Sequence, residues 1–152
     1  MKSEVLAEII RRYDQANFIV EKRLHNLLKE MMPPELTVDQ FMTLRYIRHN
    51  KRVTSSELSD HFFVGRSSIT AIINRLVDKR LIERHPDPSD RRVIYLALTK
   101  EGEQLSLQLE EEMKEMLGRY LRRFSEEEAF LFIEMYERLA EVFMQPNEGE
   151  EK

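Results

Sequence analysis

Apolar residues recur at spacings of three and four from the start of the chain: Val5, Ile9, Tyr13, Ala16, Val20, Leu24, Leu27 and Met31, with Leu6, Ile10 and Leu28 widening the stripe. That periodicity predicts an amphipathic helix over residues 3–31. Met32-Pro33-Pro34 ends it, because the residue before a proline is pushed out of the helical region. A helix of that length spans roughly 43 Å. A compact monomer of 152 residues is only roughly 38 Å across. The helix would therefore project beyond its own core, and its stripe needs a partner.

Three further helix starts carry a capping-box spacing, a hydroxyl residue followed three positions later by Glu or Gln. Thr37-Val38-Asp39-Gln40 leads into Phe41, Leu44 and Ile47 and a helix ending near Asn50. Thr54-Ser55-Ser56-Glu57 leads into Leu58 and Phe62. A turn over Phe62-Phe63-Val64-Gly65 follows. The next helix gathers Ile69, Ile72, Ile73 and Leu76 on one face and shows Ser67, Thr70, Ala71, Asn74 and Arg75 on the other. Beyond it, Leu81-Ile82-Glu83-Arg84, the turn Pro86-Asp87-Pro88-Ser89-Asp90 and the run Arg91 to Leu98 read as a β-hairpin. Thr99 then caps a long helix with Leu105, Leu109, Met113, Met116, Tyr120 and Leu121 on its apolar side. Ser125-Glu126-Glu127-Glu128 opens a last helix carrying Phe132, Ile133, Tyr136, Leu139, Ala140 and Phe143.

The predicted fold is mainly α, of the α+β class, in one domain over 1–152. A winged helix-turn-helix module spans 37–98 and long helices at 3–31 and 99–144 flank it. The polar stretch 145–152 is expected to be disordered. Two arrangements would cover the flanking apolar faces: a symmetric homodimer in which the terminal helices of two chains interdigitate, or a monomeric helical bundle. The projecting first helix and the broad apolar face of the last one favour the dimer.

Net charge is −4, which alone would argue against nucleic acid. Its distribution changes the picture. Residues 51–100 hold 10 basic and 6 acidic side chains, whereas 101–152 hold 6 basic and 15 acidic. A basic middle is sufficient for DNA, since phosphates act mainly over about a Debye length. No apolar run is long enough to cross a membrane and no signal segment opens the chain, so a cytoplasmic protein with no membrane partner is expected. Cysteine is absent, which removes disulfides, thiolate metal sites and a cysteine redox sensor.

The chain resembles the multiple-antibiotic-resistance regulator (MarR) family of bacterial winged-helix transcription factors. Leu36-Thr37, Gln40-Phe41, Leu44 and Ile47 look like the family's second helix. Glu57-Leu58, Val64 and Ile69-Thr70 look like its helix-turn-helix. Asp87-Pro88-Ser89-Asp90-Arg91-Arg92, then Leu96-Ala97-Leu98-Thr99 and Gly102, look like its wing and exit. Two positions depart from the pattern. Arg80 stands where glycine is common, and a left-handed backbone there would cost roughly 1 kcal/mol. Gly65 stands where a serine-type N-cap is usual, a change worth a few tenths of a kcal/mol.

The resemblance implies a homodimeric regulator, expected to repress, on a pseudo-palindromic operator in double-stranded DNA. The second short helix would enter the major groove, which makes Ser67, Ser68, Thr70, Asn74 and Arg75 DNA-binding candidates. Arginine can pair with guanine and asparagine with adenine, while serines near the helix start reach phosphate. The plainer alternative is an ordinary polar surface. Adjacent strand residues face opposite ways, so Arg91 and Arg92 should differ in role. The family implies Arg91 in the minor groove and Arg92 held by a wing aspartate, Asp87 or Asp90. It also implies a small-molecule effector in a crevice drawing on Phe18, Lys22, His25, Phe41 and Arg45, whose apolar and cationic side chains suit a lipophilic or aromatic acid. Core packing by the same aromatics is the competing explanation. His25, His49, His61 and His85 lie on separate elements without metal spacing, so neither a metal nor another cofactor is expected. No nucleophile, phosphate loop or carboxylate pair stands out, which leaves an enzyme unsupported. A winged helix used for protein contacts is the remaining rival.

Overall fold

The structure, a computed structural model, describes residues 2–145. Its elements run α1 (Ser3–Met31), α2 (Val38–Asn50), α3 (Ser55–Phe62), α4 (Arg66–Asp78), β1 (Ile82–Pro86), β2 (Ile94–Leu98), α5 (Lys100–Leu121) and α6 (Glu126–Met144). Of the spans expected from the sequence, 3–31 holds α1, 37–98 holds α2 to β2, and 99–144 holds α5 and α6. The expected tail, 145–152, lies outside the described residues except for Gln145.

All three capping boxes form. Thr37 and Gln40, Thr54 and Glu57, and Ser125 and Glu128 each exchange side-chain and backbone hydrogen bonds at the starts of α2, α3 and α6. Each satisfies helix N–H groups that would otherwise lack partners.

The chain divides into two units, Met1–Met113 and Lys114–Lys152. In the first, the core comprises Leu36, Phe41, Leu44 and Ile47 around α2, Leu58 on α3, Ile69, Ile73 and Leu76 on α4, Ile82 and Leu96 on the hairpin, and Leu109 and Met113 on α5. Such burial contributes about 1.5–3 kcal/mol per large side chain. Polar ties reinforce it. Lys79, just past α4, donates to the Glu35 carbonyl and, at 3.2 Å, to Gln40 Oε1. Arg48 and His49 at the end of α2 both reach the buried Glu110 carboxylate of α5. Burial alone would raise the Glu110 pKa, but these two partners outweigh it and the net shift is downward.

Two short helices end without glycine. Phe63 after α3 has φ 52° and Arg80 after α4 has φ 58°. In both, a six-residue closing bond forms, from the Val64 N–H to the Ser59 carbonyl and from the Leu81 N–H to the Leu76 carbonyl. This is the Schellman ending, whose left-handed residue is usually glycine. Arg80, whose helix ending the sequence left open, is therefore left-handed; the left-handed Phe63 had no sequence signal.

β1 and β2 pair antiparallel, with Ile82 opposite Leu98, Arg84 opposite Leu96 and Pro86 opposite Ile94. Val53 adds a bridge to Leu96. The hairpin returns to α5 through Thr99, whose hydroxyl donates to the Arg80 carbonyl and accepts from the Gly102 N–H. Gly102 is required by close approach. A Cβ there would sit inside contact distance of the Leu81 carbonyl oxygen and 2.9 Å from its carbon. Backbone cannot move aside as a flexible side chain could.

On α1, only Leu28 is fully buried. Val5, Leu6, Ile9, Ile10, Tyr13, Phe18, Ile19 and Val20 stand exposed. In the second unit, α6 has no buried residue among those described, and Phe130, Leu131, Phe132, Ile133, Tyr136 and Phe143 are open. Phe132 and Tyr136 stack at 5.6 Å, one turn apart.

Candidate nucleic-acid interface

The face of α4 opposite Ile69, Ile73 and Leu76 is exposed along its length, and Ser67, Ser68, Thr70, Asn74 and Arg75 all lie on it. Packing of the apolar side against α2, α3 and β1 sets this orientation. α4 starts at Gly65, which supplies no side-chain cap. The Ser68 N–H bonds the Gly65 carbonyl at 3.1 Å, while among the described residues those of Arg66 and Ser67 are left for an outside acceptor, as at helix ends that bind anions. The polar side chains differ in what already engages them. The Thr70 hydroxyl donates to the Arg66 carbonyl at 2.8 Å. Asn74 Oδ1 accepts from Arg84 Nη2 at 2.6 Å. Among the described residues, Ser67, Ser68 and Arg75 have no side-chain hydrogen bond or ion pair.

At the wing tip the polar groups hold one another. The Asp87 carboxylate accepts from the Ser89 hydroxyl at 2.5 Å, the Ser89 N–H at 2.8 Å and the Asp90 N–H at 3.1 Å. The Ser89 hydroxyl, then the two N–H groups, draw its pKa below the ordinary aspartate value, with Arg52 assisting. Arg92 donates to both oxygens of Asp90 at 3.0 Å and its own N–H joins them. That fork lowers the Asp90 pKa and raises that of Arg92. Of the two aspartates open from the sequence, Arg92 pairs with Asp90, while Asp87 closes the turn. Arg91 is exposed beside this cluster, with no hydrogen bond or ion pair among the described residues.

Two participants were missed from the sequence. Arg84 shares a strand face with the buried Ile82 and lies opposite Leu96, which turns it towards α4. The period of two along β1 would have placed it there. Arg52 lies 4.2 Å from the Tyr95 ring centroid and 3.6 Å from the Asp87 carboxylate. It ties the wing to the loop before α3, and nothing local in the sequence marks it.

The effector candidates are not gathered as expected. Phe41 is 0% exposed, so it packs the core and offers no wall to a ligand. The capping box at Thr37 fixes the phase of α2 and turns Phe41 inward with Leu44. Phe18 is exposed, with Lys22 Nζ 6.0 Å from its ring centroid. With Asp14, Gln15 and Ile19 it lines an open depression of about 420 Å³ on α1. His25 is exposed; Arg45 is half-buried, and its buried Nε has no partner among the described residues. Among these residues no cluster of metal-ligand type occurs, and no helix is long and apolar enough to cross a membrane.

Residues 35–93 match the sequence profile of the MarR family. The chain is also 30% identical over 127 residues to the HTH-type transcriptional repressor MdtR of Bacillus subtilis, covering 82% of this chain and 80% of that protein. The chain belongs to the MarR family. Other members align over most of its length. The HTH-type transcriptional regulator YsmB of B. subtilis is 28% identical over 129 residues, 85% of this chain and 86% of YsmB. A crystal structure of a mutant MarR from E. coli, complexed with operator DNA, superposes with a TM-score of 0.72 at 25% identity, covering 90% of this chain and 96% of that one. This MarR-family chain is thus a winged helix-turn-helix, DNA-binding transcription regulator, and the membership argues against an enzyme.

Proposed function

We propose that the protein is a cytoplasmic repressor that binds a pseudo-palindromic operator as a homodimer and is released by a small lipophilic or aromatic acid. The carrying observation is the pairing of an exposed polar α4 face with a self-tied wing that leaves Arg91 unpartnered among the described residues. α4 enters the major groove, where Ser67 and Ser68 with the first-turn N–H groups hold phosphate and Asn74 and Arg75 reach base edges. Arg91 reads a narrow minor groove, favouring A·T-rich flanks.

Residues 37–98 serve as the reading module and the helices at 3–31 and 99–144 as the dimerisation elements. The open apolar faces of α1 and α6 are what a second copy would cover; contiguous exposure on this scale marks an interface. Repression is supported by relatives named as repressors, MdtR and NicR of Pseudomonas putida. Ligand control is supported by the Arg45 Nε, which has no partner among the described residues, and by the Phe18–Lys22 pair, cationic groups suited to an acid. With no cysteine, release is non-covalent.

Selection of bound duplexes from a random pool, with sedimentation of the protein at micromolar concentration, tests the reading. Inverted half-sites about 10 base pairs apart and a dimer are expected. A monomer that binds without symmetry would overturn it.

A further inference from the structure

Asn74 and Arg84 sit on different elements, ten residues apart, and meet at 2.6 Å on the exposed side of α4. An arginine guanidinium has only donors. Only the amide oxygen of Asn74 can face it, so the orientation of the amide is set by chemistry. The Asn74 NH2 group is thereby the end left for an outside partner.

We propose that Arg84 is a positioning residue that turns the NH2 group of Asn74 outward, so that Asn74 reads the base it meets chiefly as a donor. This rests on the proposed entry of α4 into the major groove. A free asparagine pairs with adenine by donating to N7 and accepting from N6. With one of the two lone pairs of its oxygen taken by Arg84 and the amide held with that oxygen turned to Arg84, Asn74 instead favours an edge that offers acceptors, guanine N7 and O6 or thymine O4, and disfavours the exocyclic amines of adenine and cytosine. Arg84 need not touch the base. It acts by holding one rotamer and one flip of the amide, which also removes the entropy cost of choosing them on binding.

The test selects duplexes from a random pool with the full-length protein and four variants: Asn74→Ala, Arg84→Met, Arg84→Lys and the double variant Asn74→Ala/Arg84→Met. The position where Asn74→Ala loses preference identifies the base pair read by Asn74. Guanine or thymine is expected there in the parent protein. Arg84→Met, which keeps the stem and removes the donor, should reduce preference at that position roughly three- to tenfold, the value of one hydrogen bond, and should admit adenine. Arg84→Lys, retaining a donor, should restore part of it. The double variant should discriminate no worse than Asn74→Ala alone. Adenine or cytosine preferred by the parent protein, or an unchanged profile in Arg84→Met, would overturn the inference while leaving operator binding intact. Failure of the parent protein to enrich any duplex would instead remove the functional reading beneath it. Equal thermal melting of all variants separates these effects from misfolding.

Discussion

α3 and α4 are the two short helices of one motif, yet their starts are built differently. At α3, Thr54 and Glu57 close the end reciprocally. At α4, Gly65 leaves it open. Sterics do not demand glycine there: φ is −65° and nothing lies within 4 Å of where a Cβ would stand. A sealed start lets α3 hold its place without outside help. An open one keeps backbone donors available to an acceptor that arrives with a partner. The same division separates the wing tip, where Arg92 and Asp90 satisfy each other and Asp87 closes the turn on Ser89, from Arg75 on α4, which has no side-chain partner among the described residues.

Beneath that contrast the two helices should share one core. Leu58 and Leu76, one on each, are both 0% exposed. Replacing either with alanine should cost about 2–5 kcal/mol in chemical denaturation. A loss below about 1 kcal/mol at one of them would mean that the helices are not packed as a unit.

On the exposed side, Arg75→Ala should lose about 1–3 kcal/mol of base discrimination if the guanidinium pairs bidentately. Arg91→Ala should mainly weaken preference for A·T-rich flanks. Uniform weakening on all sequences, with a salt slope lower by about one, would show either residue to be a phosphate contact.

Opening the sealed end comes next in size. Thr54→Ala should cost about 1 kcal/mol of stability and leave base preference unchanged. Sealing the open end has the smallest effect. Gly65→Ser should add about 0.3 kcal/mol and slightly weaken duplex binding, because the new hydroxyl occupies an N–H. Tighter binding by this variant would break the comparison.

The capping boxes and the phase of α2 and α4 were legible because they depend on residues three and four apart. The bounds of α1 were equally local, fixed by a periodic stripe and a proline pair. The Arg84–Asn74 bond was not, since it joins a strand to a helix and emerges only once the register of the hairpin is known. Arg92 had two acidic candidates within five residues, and only the geometry of the turn assigns Asp90 to it and Asp87 to the backbone. Phe41 was open between a ligand wall and the core, and its inward phase places it among the buried side chains. The left-handed Phe63 carried no signal because its ending relies on backbone bonds rather than on glycine.

The crowding at Gly102 has a mechanical meaning. The Leu81 carbonyl occupies the place of a side chain, and Thr99 binds the backbone at both Arg80 and Leu81. The end of α4, the root of the wing and the first turn of α5 are therefore riveted at a single joint. That joint has no slack to act as a hinge. A force applied along the first turns of α5 would swing α4 and the wing together, like a lever with a welded elbow.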